Sequence, residues 1–243
     1  MSIAVRNLLV LALLCCALLP ASALGKHEKP ATLAGNRIEI TMPAADFTLI
    51  DQRGAPFHMA DTRGKVVLMS FLYTHCTDLC PFIALKMKDA YQLLGADAKD
   101  VALVVVTTDP KRDTPTVDAA YSRKLGLFDV WHFVTGAPDA VHTVWADYGI
   151  GVSVDSDTQA AASAKGDTQA AAAEEEPAPT QGLSSADLDL AGAIIQAFGG
   201  GYDVAHSAPF WFVDRKGMIR LEMDANATPA DIVANLRELL RQP

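Results

Sequence analysis

Two cysteines, Cys76 and Cys80, are the residues whose type and spacing point most directly to chemistry. They lie four positions apart in the stretch FLYTHCTDLCP at positions 71–81. Pro81 belongs in the first turn of a helix, because deeper in a helix it would remove a backbone hydrogen bond. Cys80 is therefore predicted at or next to the helix N-cap, with both thiols near the positive helix end. The positive electrostatic field at the helix start favours thiolates, which attack disulfides and bind soft metal ions.

The cysteine pair has three interpretations: a structural disulfide, a redox couple, or half of a metal site. A one-turn spacing leaves the α-carbons about 6 Å apart, so a disulfide is feasible. A disulfide across so short a loop stabilises a protein little, because it removes little chain entropy. The pair also follows a predicted central strand, at the end of an open α/β sheet where ligands bind. We therefore interpret the pair as functional.

A metal held by two thiolates is Cu(I), Zn(II) or a related soft ion, and it needs at least a third ligand. His206 is the preferred candidate, because it ends the glycine-rich run GGGYDVAH at 199–206 and precedes a predicted strand. In this topology that loop should return beside the cysteines. His75 stays as the alternative, although neighbouring loop residues usually point apart. Three further histidines fit packing or surface positions better: His58, His132 and His142.

The chain from position 47 onwards alternates between strand and helix periodicity. Strands are predicted at 47–50, 56–58, 66–72, 101–108, 131–135, 210–213 and 218–223. Helices are predicted at 81–94, 116–125, 138–148 and 229–240. Thr114 with Pro115, and Thr228 with Asp231, mark two of the helix starts. The order hairpin, βαβ, αβα, ββα predicts a thioredoxin-like α/β fold with an N-terminal β-hairpin extension.

Residues 155–185 form a long insertion before the terminal hairpin. They contain DTQAAA twice, almost no branched apolar residues, and two prolines at 177 and 179. Such a segment cannot form a core, so we predict that it is disordered and dispensable for folding. It interrupts a single thioredoxin-like domain at 37–243, which a flexible spacer at 24–36 precedes.

The first 23 residues are predicted to be a cleaved secretory signal peptide. Arg6 precedes twelve apolar residues at 8–19, and Ala-Ser-Ala follows at 21–23. Twelve residues are too few to cross a hydrocarbon core that needs about 20, and an uncleaved membrane anchor is the alternative. Cleavage removes Cys15 and Cys16 and yields an exported, periplasmic protein.

The overall composition excludes one class of protein and disfavours another. Half of the 243 residues are apolar, which excludes extended disorder for most of the chain. The formal charge of −9 argues against nucleic acid as a partner.

Three ordered motifs resemble those of a known family. CTDLCP at 76–81 follows one strand, TDPKRDTP at 108–115 follows the next, and DVAHS at 203–207 precedes the terminal hairpin. Together they resemble the SCO/SenC copper chaperones of cytochrome c oxidase assembly. The motif at 108–115 suggests a loop that borders the site but supplies no soft ligand, and a turn before a capped helix also accounts for it.

The resemblance implies a ligand set and a client. Cys76, Cys80 and His206 would bind one copper ion per chain, as Cu(I) or Cu(II). The protein would deliver copper to the binuclear copper centre of cytochrome c oxidase, on its copper-bearing subunit, or reduce the cysteines of that centre. Other periplasmic copper chaperones or thiol reductases would be its exchange partners.

The metallochaperone function consists of binding and delivering copper, without catalysis of a reaction. Two enzymatic functions compete with it. The first is a thiol–disulfide oxidoreductase that uses Cys76 and Cys80 as a redox pair without metal. Oxidoreductases of this fold more often have two residues between their cysteines, and the three found here favour chelation. A peroxidase would need a threonine and an arginine around one cysteine. Thr74 and Arg112 are present, but the nearby Cys80 argues against that function.

Overall fold

A computed structural model describes residues 37–154 and 179–242. The strands within these residues are β1 (Arg37–Pro43), β2 (Thr48–Asp51), β3 (Pro56–His58), β4 (Val66–Leu72), β5 (Val101–Thr107), β6 (Trp131–Thr135), β7 (Val152–Val154), β8 (Val204–His206), β9 (Phe210–Val213) and β10 (Met218–Met223). The α-helices are α1 (Leu79–Leu94), α2 (Pro115–Leu125), α3 (Pro138–Asp147), α4 (Ser185–Phe198) and α5 (Pro229–Leu240).

Eight of these strands form one mixed sheet in the order β1-β10-β9-β4-β5-β6-β2-β3. The neighbours β4, β5 and β6 run parallel, and every other pair in this sheet is antiparallel. Strands β7 and β8 form a separate antiparallel pair. A parallel centre must be covered on both faces, and the unbroken apolar sequences of β4 and β5 suit that position. The architecture is that of the predicted thioredoxin-like fold.

Alternate residues of β4 contribute to two hydrophobic cores, one on each face of the sheet. Val66 and Leu68 pack with residues of α1, α2, α4 and α5. Val67 and Met69 pack with α3 and the β2–β3 hairpin on the opposite face. All four side chains are at most 1% exposed, and burying each one stabilises the fold by about 1.5–3 kcal/mol. This packing fixes the carboxyl end of β4, from which the cysteines follow.

The structure also contains elements that the sequence pattern did not predict. Strand β1 extends the sheet beyond β10, although Ile38 and Met42 on it are exposed. Helix α4 and the β7–β8 pair stand between α3 and the terminal hairpin. The terminal hairpin itself, β9–β10, and helix α5 with its capping box at Thr228 and Asp231 lie where they were predicted.

The predicted insertion at 155–185 extends too far at its C-terminal end. Ser185 is the first residue of α4, Ser184 caps this helix in a capping box, and Leu183 packs against the core. Residues 155–178 of the insertion lie outside the described residues, as do the predicted signal peptide and spacer. Among residues 37–154 and 179–242, no helix combines the length and apolar character required to cross a membrane.

Candidate metal centre

The cysteine turn, residues 73–80, joins the end of β4 to the start of α1. Asp78 is the N-cap of α1, so Cys80 is the second residue of the helix, slightly deeper than predicted. Both thiols are free, and the side chains are buried, with Cys76 5% and Cys80 1% exposed. The backbone N–H of Cys80 donates to Sγ of Cys76 at 3.5 Å. The helix start therefore directs a donor at the first sulfur.

The two sulfurs differ in their acidity. A hydrogen bond from the Cys80 thiol, helped by the backbone N–H groups of Cys80 and Asp78, lowers the pKa of Cys76 to about 7. Burial raises the pKa of Cys80 well above its usual range, and the neighbouring Cys76 adds to that rise. The expectation that both thiols favour the thiolate is therefore wrong for Cys80, where desolvation dominates, whereas the lowered pKa of Cys76 is due first to the Cys80 thiol.

His206, the last residue of β8, returns beside the cysteine turn as the topology predicted. Its Nε2 lies 3.6 Å from Sγ of Cys80. Its Nδ1 lies 3.0 Å from the carbonyl oxygen of Ser207, to which it donates, so the neutral ring presents the Nε2 lone pair towards the sulfur. Burial lowers the pKa of His206, which keeps the imidazole neutral at pH 7. The ring also meets Tyr73 edge-on, with centroids 5.7 Å apart.

His75 is engaged elsewhere, although it precedes Cys76 directly. Its Nδ1 lies 2.8 Å from Oγ1 of Thr74, and that hydroxyl donates to Oδ1 of Asp113 at 2.6 Å. The single hydroxyl hydrogen goes to the carboxyl group, so Nδ1 of His75 must be the donor to Thr74. Three further histidines lie in the part of the chain that the structure describes, and all are engaged outside the site. His58 contacts Thr48, His132 contacts Asp51, and His142 stacks on Trp145.

Asp113 has a role that the sequence interpretation missed. Its carboxyl group is 1% exposed and accepts from the backbone N–H and the hydroxyl of Thr74 and from the hydroxyl of Thr107. It thereby ties the cysteine turn to the end of β5. Thr114 caps α2 as predicted. The signal for Asp113 was its position just after β5, because parallel neighbouring strands end at the same edge of a sheet.

The three predicted ligands line one cavity of about 380 Å³. Its full lining is Tyr73, Cys76, Thr77, Asp78, Leu79, Cys80, Asp203, Val204, Ala205, His206 and Ala208. Two sulfurs and one imidazole nitrogen are donors that suit a soft ion such as copper. Within residues 37–154 and 179–242, no three His, Cys, Asp or Glu side chains are preassembled around a metal position. The three donors are thus adjacent but are not arranged around one metal position.

The comparison of this sequence with protein families is decisive. The sequence model of the SCO1/SenC family matches residues 38–171, more than half of the chain. The chain belongs to the SCO1/SenC family. The matched stretch contains both cysteines and the TDPKRDTP motif, and His206 lies beyond it. The family predicted from the three motifs is therefore confirmed.

Other SCO proteins resemble the chain in sequence and structure. An SCO2-like protein of Rickettsia felis is 38% identical over 95 residues, which are 39% of this chain and 46% of the relative. The chain spans less than half the length of the curated relatives it matches.

Copper-bound ScoI of Bradyrhizobium japonicum has a TM-score of 0.59 at 21% identity, over 82% of this chain and 99% of that one. BsSco, described as a member of the Sco family of cytochrome c oxidase assembly proteins and the subject of a disulfide switch, has a TM-score of 0.56 at 19% identity, over 84% of this chain and 97% of that one. These structures confirm the fold of this SCO1/SenC protein.

Proposed function

We propose that this protein is a copper metallochaperone, which holds one copper ion between Cys76, Cys80 and His206. The observation that carries the proposal is the convergence of these donors on one cavity, with Nε2 of His206 3.6 Å from Sγ of Cys80. Two relatives support it, since ScoI of B. japonicum has been solved with copper bound and BsSco belongs to the cytochrome c oxidase assembly proteins. We extend both properties to this chain, with the copper-bearing subunit of cytochrome c oxidase as the client.

The donors are suited to both oxidation states of copper. Two thiolates alone satisfy Cu(I), whereas Cu(II) binds better with the imidazole added. With a pKa of about 7, Cys76 is roughly half thiolate at pH 7, and His206 is neutral, so both are readily available as ligands. Cys80 must give up its proton when the ion arrives, because the metal ligand is the thiolate. Copper binding is therefore coupled to proton release from Cys80.

A second candidate function is reduction of a disulfide in the client, and the inequality of the two thiols favours it. Cys76 has the lowered pKa and the greater exposure, so it is the attacking thiolate. Its sulfur would bond to one client sulfur and release the other as a thiolate, which takes up a proton. Cys80 would then attack Cys76, leaving an intramolecular disulfide and two client thiols. Two electrons pass to the client, and a dithiol reductant must later restore the pair.

The proposed location is the periplasm, which the chain would reach through a signal peptide at residues 1–23. In that compartment other copper chaperones and thiol reductases are the proposed sources of the ion and the electrons. No nucleic acid is a partner in this scheme.

Metal analysis of the reduced chain after copper loading and desalting tests the proposal. We expect one copper per chain in the wild type and none in Cys76→Ser or Cys80→Ser. His142→Ala is the matched control, because His142 is an exposed imidazole that stacks on Trp145 away from the cavity. If the wild-type chain retained no copper but exchanged disulfides rapidly, the metallochaperone function would be rejected in favour of the reductase function.

A further inference from the structure

Arg112 belongs to the TDPKRDTP motif, which supplies no ligand to the proposed copper site, yet it contacts the glycine-rich loop at 199–206. Its Nη1 donates to the carbonyl oxygen of Gly200 at 3.0 Å. Its guanidinium carbon lies 3.7 Å from the centre of the Tyr202 ring, a close cation–π contact. Its Nε pairs with the carboxyl group of Asp109. The Arg112 side chain is only 15% exposed, although its hydrogen bond to Gly200 lies at the surface.

The same loop is also held by Asp109. The hydroxyl of Tyr202 donates to Oδ1 of Asp109 at 2.8 Å. Asp109 is 3% exposed, and its backbone N–H donates to Oγ1 of Thr107 at the end of β5. Arg112, Asp109 and Tyr202 thus form a closed group, the arginine clamp, that fastens the glycine-rich loop to the carboxyl end of the central sheet.

The arginine clamp continues to His206 through Tyr73. The guanidinium carbon of Arg112 lies 5.6 Å from the centre of the Tyr73 ring. The Tyr73 hydroxyl accepts from the backbone N–H of Val204 at 3.2 Å, and its ring packs edge-on against the imidazole. The loop is therefore fixed at positions 200, 202 and 204, the last only two residues before His206.

The glycine-rich loop requires such anchors because its backbone is intrinsically free. Gly200 and Gly201 have φ angles of 120° and 84°, which other residues rarely adopt. A Cβ atom on Gly199 would lie 2.8 Å from Cγ2 of Thr77, and one on Gly201 would lie 2.8 Å from Nη1 of Arg112. Glycine gives close approach at both points but loses the most conformational entropy when it is ordered. Contacts of the arginine clamp offset that cost.

We propose that Arg112 is a positioning residue for His206 and thereby determines how strongly the site prefers Cu(II). The arginine clamp holds the imidazole beside the sulfurs before the ion arrives. Cu(II) depends on that imidazole, whereas Cu(I) is satisfied by the two thiolates, so the clamp strengthens Cu(II) binding more than Cu(I) binding. This role depends on the proposed copper site, so the experiment must distinguish a failure of the role of Arg112 from a failure of the site itself.

Affinities for Cu(II) and Cu(I) should be measured by competition with chelators for Arg112→Met and for His206→Ala, alone and combined. We expect Arg112→Met to weaken Cu(II) binding about tenfold, the lower end of the effect of an orienting partner, and to leave Cu(I) binding nearly unchanged. In the His206→Ala background the same change should weaken Cu(II) no further. Arg112→Lys should recover part of the loss, because lysine keeps the charge beside Asp109 but not the planar stack on Tyr202.

Arg53→Met is the matched control. Arg53 also pairs with a carboxyl group, that of Asp51, at 3.0 Å. It also donates to a carbonyl group and stacks on a ring, both of Phe128, but away from the glycine-rich loop. Its loss should change neither affinity. Tyr202→Ala, at a half-buried position, provides a second variant that tests the clamp if Arg112→Met folds poorly.

Amide hydrogen exchange at 199–206 in the copper-free chain gives a readout that does not depend on the metal. We expect Arg112→Met and Tyr202→Ala to accelerate exchange there, and Arg53→Met to leave it unchanged. If the wild type bound no copper, the proposed function would be wrong. The hydrogen-exchange pattern would still test whether the arginine clamp holds the loop. Unchanged exchange, an unchanged Cu(II) affinity, or an equal loss in the His206→Ala background would each overturn the role of Arg112.

Discussion

The cysteine turn and the glycine-rich loop bring their donors to the same cavity from very different structural settings. The cysteine turn lies between β4, whose seven residues are all buried, and α1, in which nine of sixteen residues are buried. The glycine-rich loop leads into β8, a three-residue strand that pairs with β7 outside the main sheet. Its exposed residues include Gly201, Asp203 and Ala205.

This difference divides the candidate site into a fixed part and an adjustable part. The sulfurs cannot leave their places without disturbing the core, because Cys76 and Cys80 are themselves members of it. The imidazole is held by a few hydrogen bonds and ring contacts of the glycine-rich loop, some of them exposed and each individually weak. Such segments open at a lower free energy than the global unfolding of a domain. We therefore expect substitutions to separate sulfur chemistry from imidazole chemistry.

Removal of either sulfur should have the largest effect. Cys76→Ser or Cys80→Ser leaves one soft donor, so the one-to-one copper complex and disulfide exchange should both be lost. Copper per chain and the rate of exchange with a model disulfide, both measured on reduced protein, check this. A serine variant with normal copper affinity would show that the cysteine turn is not the fixed part of the site.

Removal of the imidazole should have a large but selective effect. His206→Ala should weaken Cu(II) binding by about a hundredfold or more, beyond the 10–100-fold typical of an orienting partner, while Cu(I) binding and exchange persist. Competition with Cu(II) and Cu(I) chelators measures the difference, with His142→Ala as the control. If His206→Ala bound both ions with wild-type affinity, His206 would not be a ligand and His75 would be the next candidate.

The pH dependence of thiol reactivity should distinguish the two sulfurs from each other. A thiol reacts as its thiolate, so alkylation of Cys76 should rise about tenfold per pH unit below 7 and level off above it. The raised pKa of Cys80 keeps that residue slow throughout. Mass spectrometry after brief iodoacetamide treatment gives both rates.

The cause of the lowered pKa of Cys76 can be tested with the same alkylation assay. Cys80→Ala removes the hydrogen bond that contributes most to stabilising the Cys76 thiolate, so the midpoint for Cys76 should move to higher pH. A midpoint that stays near 7 in this variant would assign the effect to the helix start instead.

Shortening the insertion should have the smallest effect. A short Gly/Ser linker in place of residues 155–178 should leave the melting temperature nearly unchanged, since that sequence offers no apolar face. Extending the replacement through Leu183 and Ser184 should lower it, because a lost helix cap costs about 1 kcal/mol, or roughly 2–4 °C in a domain of this size. Equal melting temperatures for both replacements would contradict the boundary at 179.

The parts of the fold that the sequence predicted are those with a local, periodic signal. The apolar runs of β4, β5 and β9 and the capping box at Thr228 and Asp231 each identify their element directly. Strand β1 was not predicted, although Ile38, Ile40 and Met42 alternate with polar residues as in a strand. Their burial does not follow that alternation, because Ile38 and Met42 are exposed. Helix α4 was not predicted because it directly follows a segment without core-forming residues.

The candidate site divides in the same way. Cys76 and Cys80 stand out by spacing alone, and the approach of His206 follows from the topology; its role as a ligand remains a prediction. The contact of Arg112 with Gly200 and Tyr202 joins positions about ninety residues apart and leaves no local pattern. Only tertiary structure reveals it, because a basic residue in a turn otherwise suggests solvent exposure.

The strand order also has a consequence for folding. Strands β4, β5 and β6 pair as consecutive neighbours, whereas β9 inserts beside β4 from beyond the insertion. Contacts that are local along the chain form sooner, because less loop entropy must be lost. We expect the cysteines to be in place in an early intermediate that still lacks its histidine. In an oxidising compartment the two thiols could close into a disulfide at that stage, so the newly folded chain would need a reductant before it could accept any metal ion.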